Sequence, residues 1–219
     1  MKNMFKFLSQ WEANNNREWL LENKELFMLG YHEFEIIANT MMRRIENFDP
    51  ESLDRLSMEK VVVLDSDPRF DGSPKRAQYL AEVIPHGKVL GYFISVSPGN
   101  RSFIGGGLFP TNLMVATKLI RDYIDVNGKE LEAILQNPKF AATYELKGVN
   151  LKYVPRDYRM KHPYSAYLKH KSWFVDFQVS DSLVMSPSFP GIMENACSTM
   201  KPFLDYLNLA LDGYEKPKK

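Results

Sequence analysis

Between Lys147 and Lys171 the chain carries seven basic residues, Lys147, Lys152, Arg156, Arg159, Lys161, Lys169 and Lys171, against a single acid, Asp157. Tyr153, Tyr158, Tyr164 and Tyr167 are interleaved with them, as are His162 and His170. Guanidinium forks and ammonium groups at this density grip phosphate or carboxylate oxygens, and tyrosine rings stack on bases. The same composition also serves a solvated loop lying on an acidic helix surface, and both readings stay open. Upstream, Asp67, Arg69 and Phe70 are followed by Lys75 and Arg76 at the mouth of a predicted sheet. Arg69, Lys75 and Arg76 are expected to form half of an anion site that Lys152, Arg156 and His162 complete. A calcium loop through Asp65, Asp67 and Asp71 fails on spacing, because Arg69 and Phe70 occupy the third ligand and the glycine position. A strand ending in Asp and Arg also makes a local ion pair that fixes the next turn.

Other candidates are weaker. The stretch Asn14 to Trp19 (NNNREW) holds cap and turn formers, although Asn16 and Arg17 could hydrogen-bond a polar ligand. The triple glycine Gly105, Gly106 and Gly107 has no Gly-Lys-Ser/Thr after it and so is no phosphate loop; a bulge is expected there, ahead of a close approach by ligand. No pair among His32, His86, His162 and His170 has metal-helix spacing, and neither metal nor cofactor is expected. Cys197, the single cysteine, excludes an internal disulfide and multi-cysteine zinc; on a predicted helix flank it reads as an inert buried thiol. A lone cysteine, the absence of a signal-peptide core and the absence of ~18 consecutive apolar residues predict a cytoplasmic protein without a membrane partner.

These residues need elements to position them. At 219 residues, with 44% hydrophobic and 25% charged side chains, the chain reads as one globular domain over residues 1–219. Its 28 Lys and Arg against 27 Asp and Glu leave +1, so any electrostatic function must be local. The first sixty residues read as helical, with Asn15 and Glu18 as a capping box and Gly30 marking a bend. Leu20, Phe27, Tyr31, Phe34, Ala38, Met41, Ile45 and Phe48 form one stripe, ending at Asp49-Pro50. Strands are predicted over 60–65, 79–84, 88–97 and 101–109, joined by turn residues into an antiparallel meander. Helices follow over 113–126, 129–136 and from Pro138, with Gly148 as a stop and a short helix after Pro163. Trp173, Val175, Phe177 and Val179 alternate as a late strand, and 189–211 forms a last helix that Pro202 should kink or divide. The fold class is α+β, a single domain with an antiparallel sheet (60–109 plus 172–179) covered by N-terminal, central and C-terminal helices.

Four stretches resemble one family, the bacterial and fungal proteins grouped as domain of unknown function 2461. They are Phe7-Leu8 with Asn14 to Trp19 and Asn23-Lys24; Asp67, Arg69, Phe70, Ser73 and Pro74; Gly91 to Gly99 with Gly105 to Gly107; and Leu151-Lys152, Pro155-Arg156, His162-Pro163, Leu168, Lys169, Lys171 and Ser172. The resemblance spans nearly the whole chain and brings no activity. The family's signature resembles Arg, two residues, Arg-Asp, one residue, Arg-Phe. Here Asp67, Arg69 and Phe70 match, Val63 and Ser66 replace the leading arginines, and Lys75 and Arg76 are candidate substitutes for the lost charge. His162 alone among the histidines lies in both the basic stretch and the resemblance, which makes it the candidate for proton transfer; capping before Pro163 is the alternative.

The leading expectation is a binding domain whose pocket of Arg69, Arg76, Lys152, Arg156 and His162 takes a small phosphate- or carboxylate-bearing ligand. An enzyme on an anionic metabolite, with His162 as acid or base near Asp67 or Glu18, is the second. Nucleic-acid contact through 147–171 ranks lower at a net charge of +1, and a structural or protein-interaction domain is the fourth.

Overall fold

The computed structural model describes residues 1–14, 16–49, 77–110 and 114–214, and residues 55–62 by their backbone. Arg69, Arg76, Asp67, Phe70, Lys75 and the cap residue Asn15 lie outside the described residues. Helices α1 (Lys2–Asn14), α2 (Arg17–Glu22) and α3 (Lys24–Glu46) come first, then strands β1 (Arg55–Val62), β2 (Gln78–Ile84), β3 (Tyr92–Val96) and β4 (Ser102–Leu108). Next are α4 (Met114–Gln136), α5 (Pro138–Thr143), α6 (Ser165–Leu168), β5 (Trp173–Val179), α7 (Asp181–Val184) and α8 (Phe189–Ala210). The strands form one antiparallel sheet in sequential order, β1-β2-β3-β4-β5. The α+β class, the meander and the late strand are as the sequence predicts. Among the described residues no helix is long and apolar enough to cross a membrane.

Strand alternation sorts side chains between two faces. Tyr79, Ala81, Val83, Tyr92, Ile94, Val96, Ile104, Trp173 and Val175 join α3 and α8 in the main core. Leu80, Phe93, Phe103 and Phe109 form a second cluster, with Phe93–Phe109 and Phe109–Phe174 centroids 4.3 and 4.4 Å apart. Helix α1 buries Met4, Phe7, Leu8 and Trp11, at the three- and four-residue steps of one helical face.

Several sequence expectations give way to long-range contacts. Gly30 makes no bend: it lies inside α3, and a Cβ there would stand 3.1 Å from the Met4 Cα and from the Tyr79 hydroxyl, so its role is to let α1 and β2 come close. Strand β1 begins five residues before its predicted start. β3 is shorter than 88–97 because the Val89 and Leu90 amides donate to the Asn208 side chain of α8, 3.0 and 2.9 Å away. The triple glycine carries no bulge. β4 pairs with β5 without a break from Ser102↔Val179 to Leu108↔Trp173, and the register shift falls in β1 between Glu59 and Val62. The glycines instead admit α8: a Cβ on Gly106 would collide with the Met200 Sδ. Helix α8 runs through Pro202 undivided, held by buried Met200, Phe203 and Leu204 on either side. Helix α5 ends at Thr143 rather than Gly148. The glycine has φ +155°, and a Cβ there would collide with the Ser172 carbonyl where the chain meets β5.

Candidate functional site: the basic segment and its platform

The 149–171 segment has little regular structure of its own and is seated by α4. The helix bends at Asn127 (φ −113°, ψ 20°), and Gly128 beside the bend leaves the space the Tyr164 ring fills, since a Cβ there would collide with that ring. Tyr164 stacks on Tyr167, centroids 6.4 Å apart. About two turns earlier on α4, Arg121 donates from Nε to the Leu168 and His170 carbonyls, both at 3.1 Å, and from Nη2 to His170 at 2.7 Å. The Leu168 carbonyl ends the four-residue helix α6 and the His170 carbonyl follows two residues later, and the half-buried guanidinium supplies donors to both. Asp122 accepts from Lys118 Nζ (2.7 Å) and from the Tyr158 hydroxyl (2.7 Å). Burial works against the Asp122 charge, yet these two hydrogen bonds outweigh it and hold the carboxyl below the usual range; burial and Asp122 together push the Tyr158 hydroxyl up.

His162 belongs to this platform. Its Nδ1 accepts the Tyr164 amide at 3.2 Å, which places the proton on Nε2, 3.4 Å from Asp125 Oδ1. The acid facing it is therefore Asp125 of α4, whereas Glu18 sits exposed in α2. Both ring nitrogens are engaged and the side chain is only 11% exposed, an arrangement that caps the turn into α6. The second histidine, His170, is buried, with Nδ1 donating to the Ser172 carbonyl at 3.2 Å. Burial pulls its pKa below the ordinary 6.5. The unfolded chain thus takes up this proton at a higher pH than the folded one. The contribution of His170 to stability is complete above 6.5, declines as pH falls toward the lowered folded value, and is constant below it. Urea midpoints at pH 7.5 and 5 should therefore differ more in the wild type than in His170→Gln, and an equal difference would contradict the assignment.

The segment's charges divide by direction. Lys147 is spent on Asp176 at 2.7 Å, where it bridges the start of β5. Lys152, Arg156, Arg159, Lys161 and Lys171 are exposed, and among the described residues none of them makes an ion pair. The Lys152 ammonium lies 5.3 Å from the centroid of the exposed Tyr153 ring. Asn16 and Arg17 are elsewhere. Asn16 caps α2, its Oδ1 accepting the Trp19 amide at 2.8 Å, so the cap stands one residue after the predicted one. Trp19 packs on Phe7 and Trp11 of α1, and Glu12 of α1 accepts from Arg101, just before β4. That corner adjoins the Ser102↔Val179 end of the β4–β5 ladder, whereas the basic segment joins at Trp173. Six residue steps of strand, about 20 Å, separate the two. Of the predicted site residues, Lys152, Arg156 and His162 share one segment, and Asn16 and Arg17 do not join them.

The family described as "Conserved hypothetical protein (DUF2461)" matches residues 3–206. The chain belongs to this family. No curated protein and no solved structure matches it. Within DUF2461 this chain's platform residues Arg121, Asp122, Asp125 and Gly128 escaped the sequence reading, although Asp122 and Asp125 stand three apart on a predicted helix and so share a face. Cys197 is buried, and burial pushes its thiol pKa up, as an inert thiol requires. Among the described residues no group of three or more His, Cys, Asp or Glu is placed to hold a metal.

Proposed function

We propose that the chain is a cytoplasmic binding domain for a small phosphate- or carboxylate-bearing anion, held on the outer side of the basic segment by Lys152, Arg156, Arg159 and Lys161. One observation carries this reading: Tyr158, His162 and the Arg121 guanidinium tie the segment to α4, while Lys152, Arg156, Arg159 and Lys161 are exposed and, among the described residues, make no ion pair. If neutralising the acidic helix were their whole purpose, Asp122 and Asp125 would be expected to pair with them. Arginine supplies bidentate donors to an oxyanion and lysine a point charge. The seated turn fixes the backbone beneath these side chains, which lowers the ordering cost on binding. An acid–base role for His162 has less support, because both its nitrogens are occupied.

The exposed Tyr153 ring under Lys152 favours nucleic acid as a second reading, since a base could stack there. Calorimetric titration with inorganic pyrophosphate distinguishes the two. Arg156→Glu/Lys161→Glu should weaken binding by roughly tenfold or more while leaving the melting temperature unchanged, because both side chains are exposed. Equal affinity in the variant would overturn the proposal. A single-stranded oligonucleotide that binds more tightly than pyrophosphate, with a steep salt dependence, would replace it with the nucleic-acid reading.

A further inference from the structure

A cleft of about 740 Å³ opens between the β2–β3 turn and α8, far along the chain from the basic segment. Pro85, His86 and Lys88 line it from the turn, and Lys201, Asp205 and Leu209 from α8. Asp49, just beyond α3, completes the lining. Lys201 Nζ stands 2.8 Å from Asp205 Oδ2 and 3.4 Å from Asp49 Oδ2, so one ammonium fixes two carboxylates. Asp205 is the more open of the pair, with 44% of its side chain exposed against 16% for Asp49. Lys88 is exposed, and among the described residues it makes no ion pair. Pro85 and the half-exposed Leu209 give the cleft an apolar side.

The charge pattern selects among ligands. A simple anion attracted to Lys88 meets Asp205 and Asp49, and a simple cation attracted to those carboxylates meets Lys201 and Lys88. A molecule carrying both charges on neighbouring atoms satisfies both sides, and the volume is in the range of small-molecule sites. We propose that this cleft binds a small zwitterion with an apolar side chain, an α-amino acid in chemical class, its ammonium group on Asp205, its carboxylate on Lys88 and its side chain against Pro85 and Leu209.

Calorimetric titration of the full chain with L-leucine tests this, alongside isocaproate, which lacks the ammonium group, and isoamylamine, which lacks the carboxylate. Leucine should bind saturably, and each analogue should bind roughly tenfold more weakly or worse, as should leucine to Asp205→Asn. Because Asp205→Asn also disturbs Lys201, Lys88→Met provides the cleaner arm: the same loss of leucine affinity at an unchanged melting temperature. The absence of saturable binding at millimolar leucine, isocaproate binding as tightly as leucine, or undiminished affinity in Lys88→Met would each overturn the proposal.

Discussion

Gly106→Val lowers the melting temperature by about 6–12 °C, the equivalent of roughly 3 kcal/mol in a chain of this length. Gly106 pairs with Tyr92 across β3–β4 and faces α8. A Cβ at this position would collide with the Met200 Sδ and come within 3.1 Å of both Leu204 Cδ2 and the Gly91 carbonyl oxygen. Valine adds two methyl groups beyond that Cβ, so α8 must lift away from the sheet or the β3–β4 ladder must open. Either movement exposes Phe203 and Leu207, which are fully buried. The milder Gly106→Ala distinguishes the causes. Met200→Ala in the Gly106→Ala background should recover part of the loss, because a thioether can be removed, whereas the Gly91 carbonyl is backbone and remains. Thermal unfolding of the two single variants and the double variant reads this coupling directly. Strict additivity would mean that the helix is not seated on the glycine.

Arg121→Met costs about 2–3 kcal/mol and loosens one region selectively. Methionine keeps much of the aliphatic stem but leaves the Leu168 and His170 carbonyls without their charged donor, and hydrogen bonds to charged groups are worth about 1.5–3 kcal/mol. It also removes the guanidinium lying 5.9 Å from the Trp173 ring centroid. Amide exchange should speed up over residues 149–171 and stay slow in the buried core of α8. Pyrophosphate affinity should fall with it, since the exposed cations lose the backbone that carries them. Uniformly faster exchange throughout the chain would show that Arg121 supports the whole fold and has no special hold on the segment.

The elements legible from sequence are those in which local pattern and burial agree. Tyr31, Phe34, Ala38, Met41 and Ile45 make a helical stripe and are buried as one; Trp173, Val175 and Val179 alternate and are buried as a strand face. Asn137-Pro138 reads as a helix start, and Asn137 accepts the Lys139 and Phe140 amides. The misreadings arise where a distant partner decides. Nothing adjacent to Asn208 announces that it will cap Val89 and Leu90, some 118 residues away. A run of three glycines looks like a bulge when read along the strand, and only the position of Met200 shows that it is a seat for a helix. The basic segment was visible as a charge run. Its division into an inner set seated on α4 and an outer set facing solvent depends on Gly128 and Arg121, whose partners Tyr164 and His170 lie 36 and 49 residues on. His162 stands out in the sequence for its company, and in the fold its ring nitrogens face Asp125 and the Tyr164 amide.

The most direct test of the anion-binding account is an amide-resolved NMR titration of the full chain with inorganic pyrophosphate. It should give saturable shifts concentrated at Lys152 to Lys161, with the amides of Arg17 and Trp19 unmoved, because that corner lies at the other end of the β4–β5 ladder. Shifts that fail to saturate, or that saturate elsewhere and leave Lys152 to Lys161 unchanged, would contradict it.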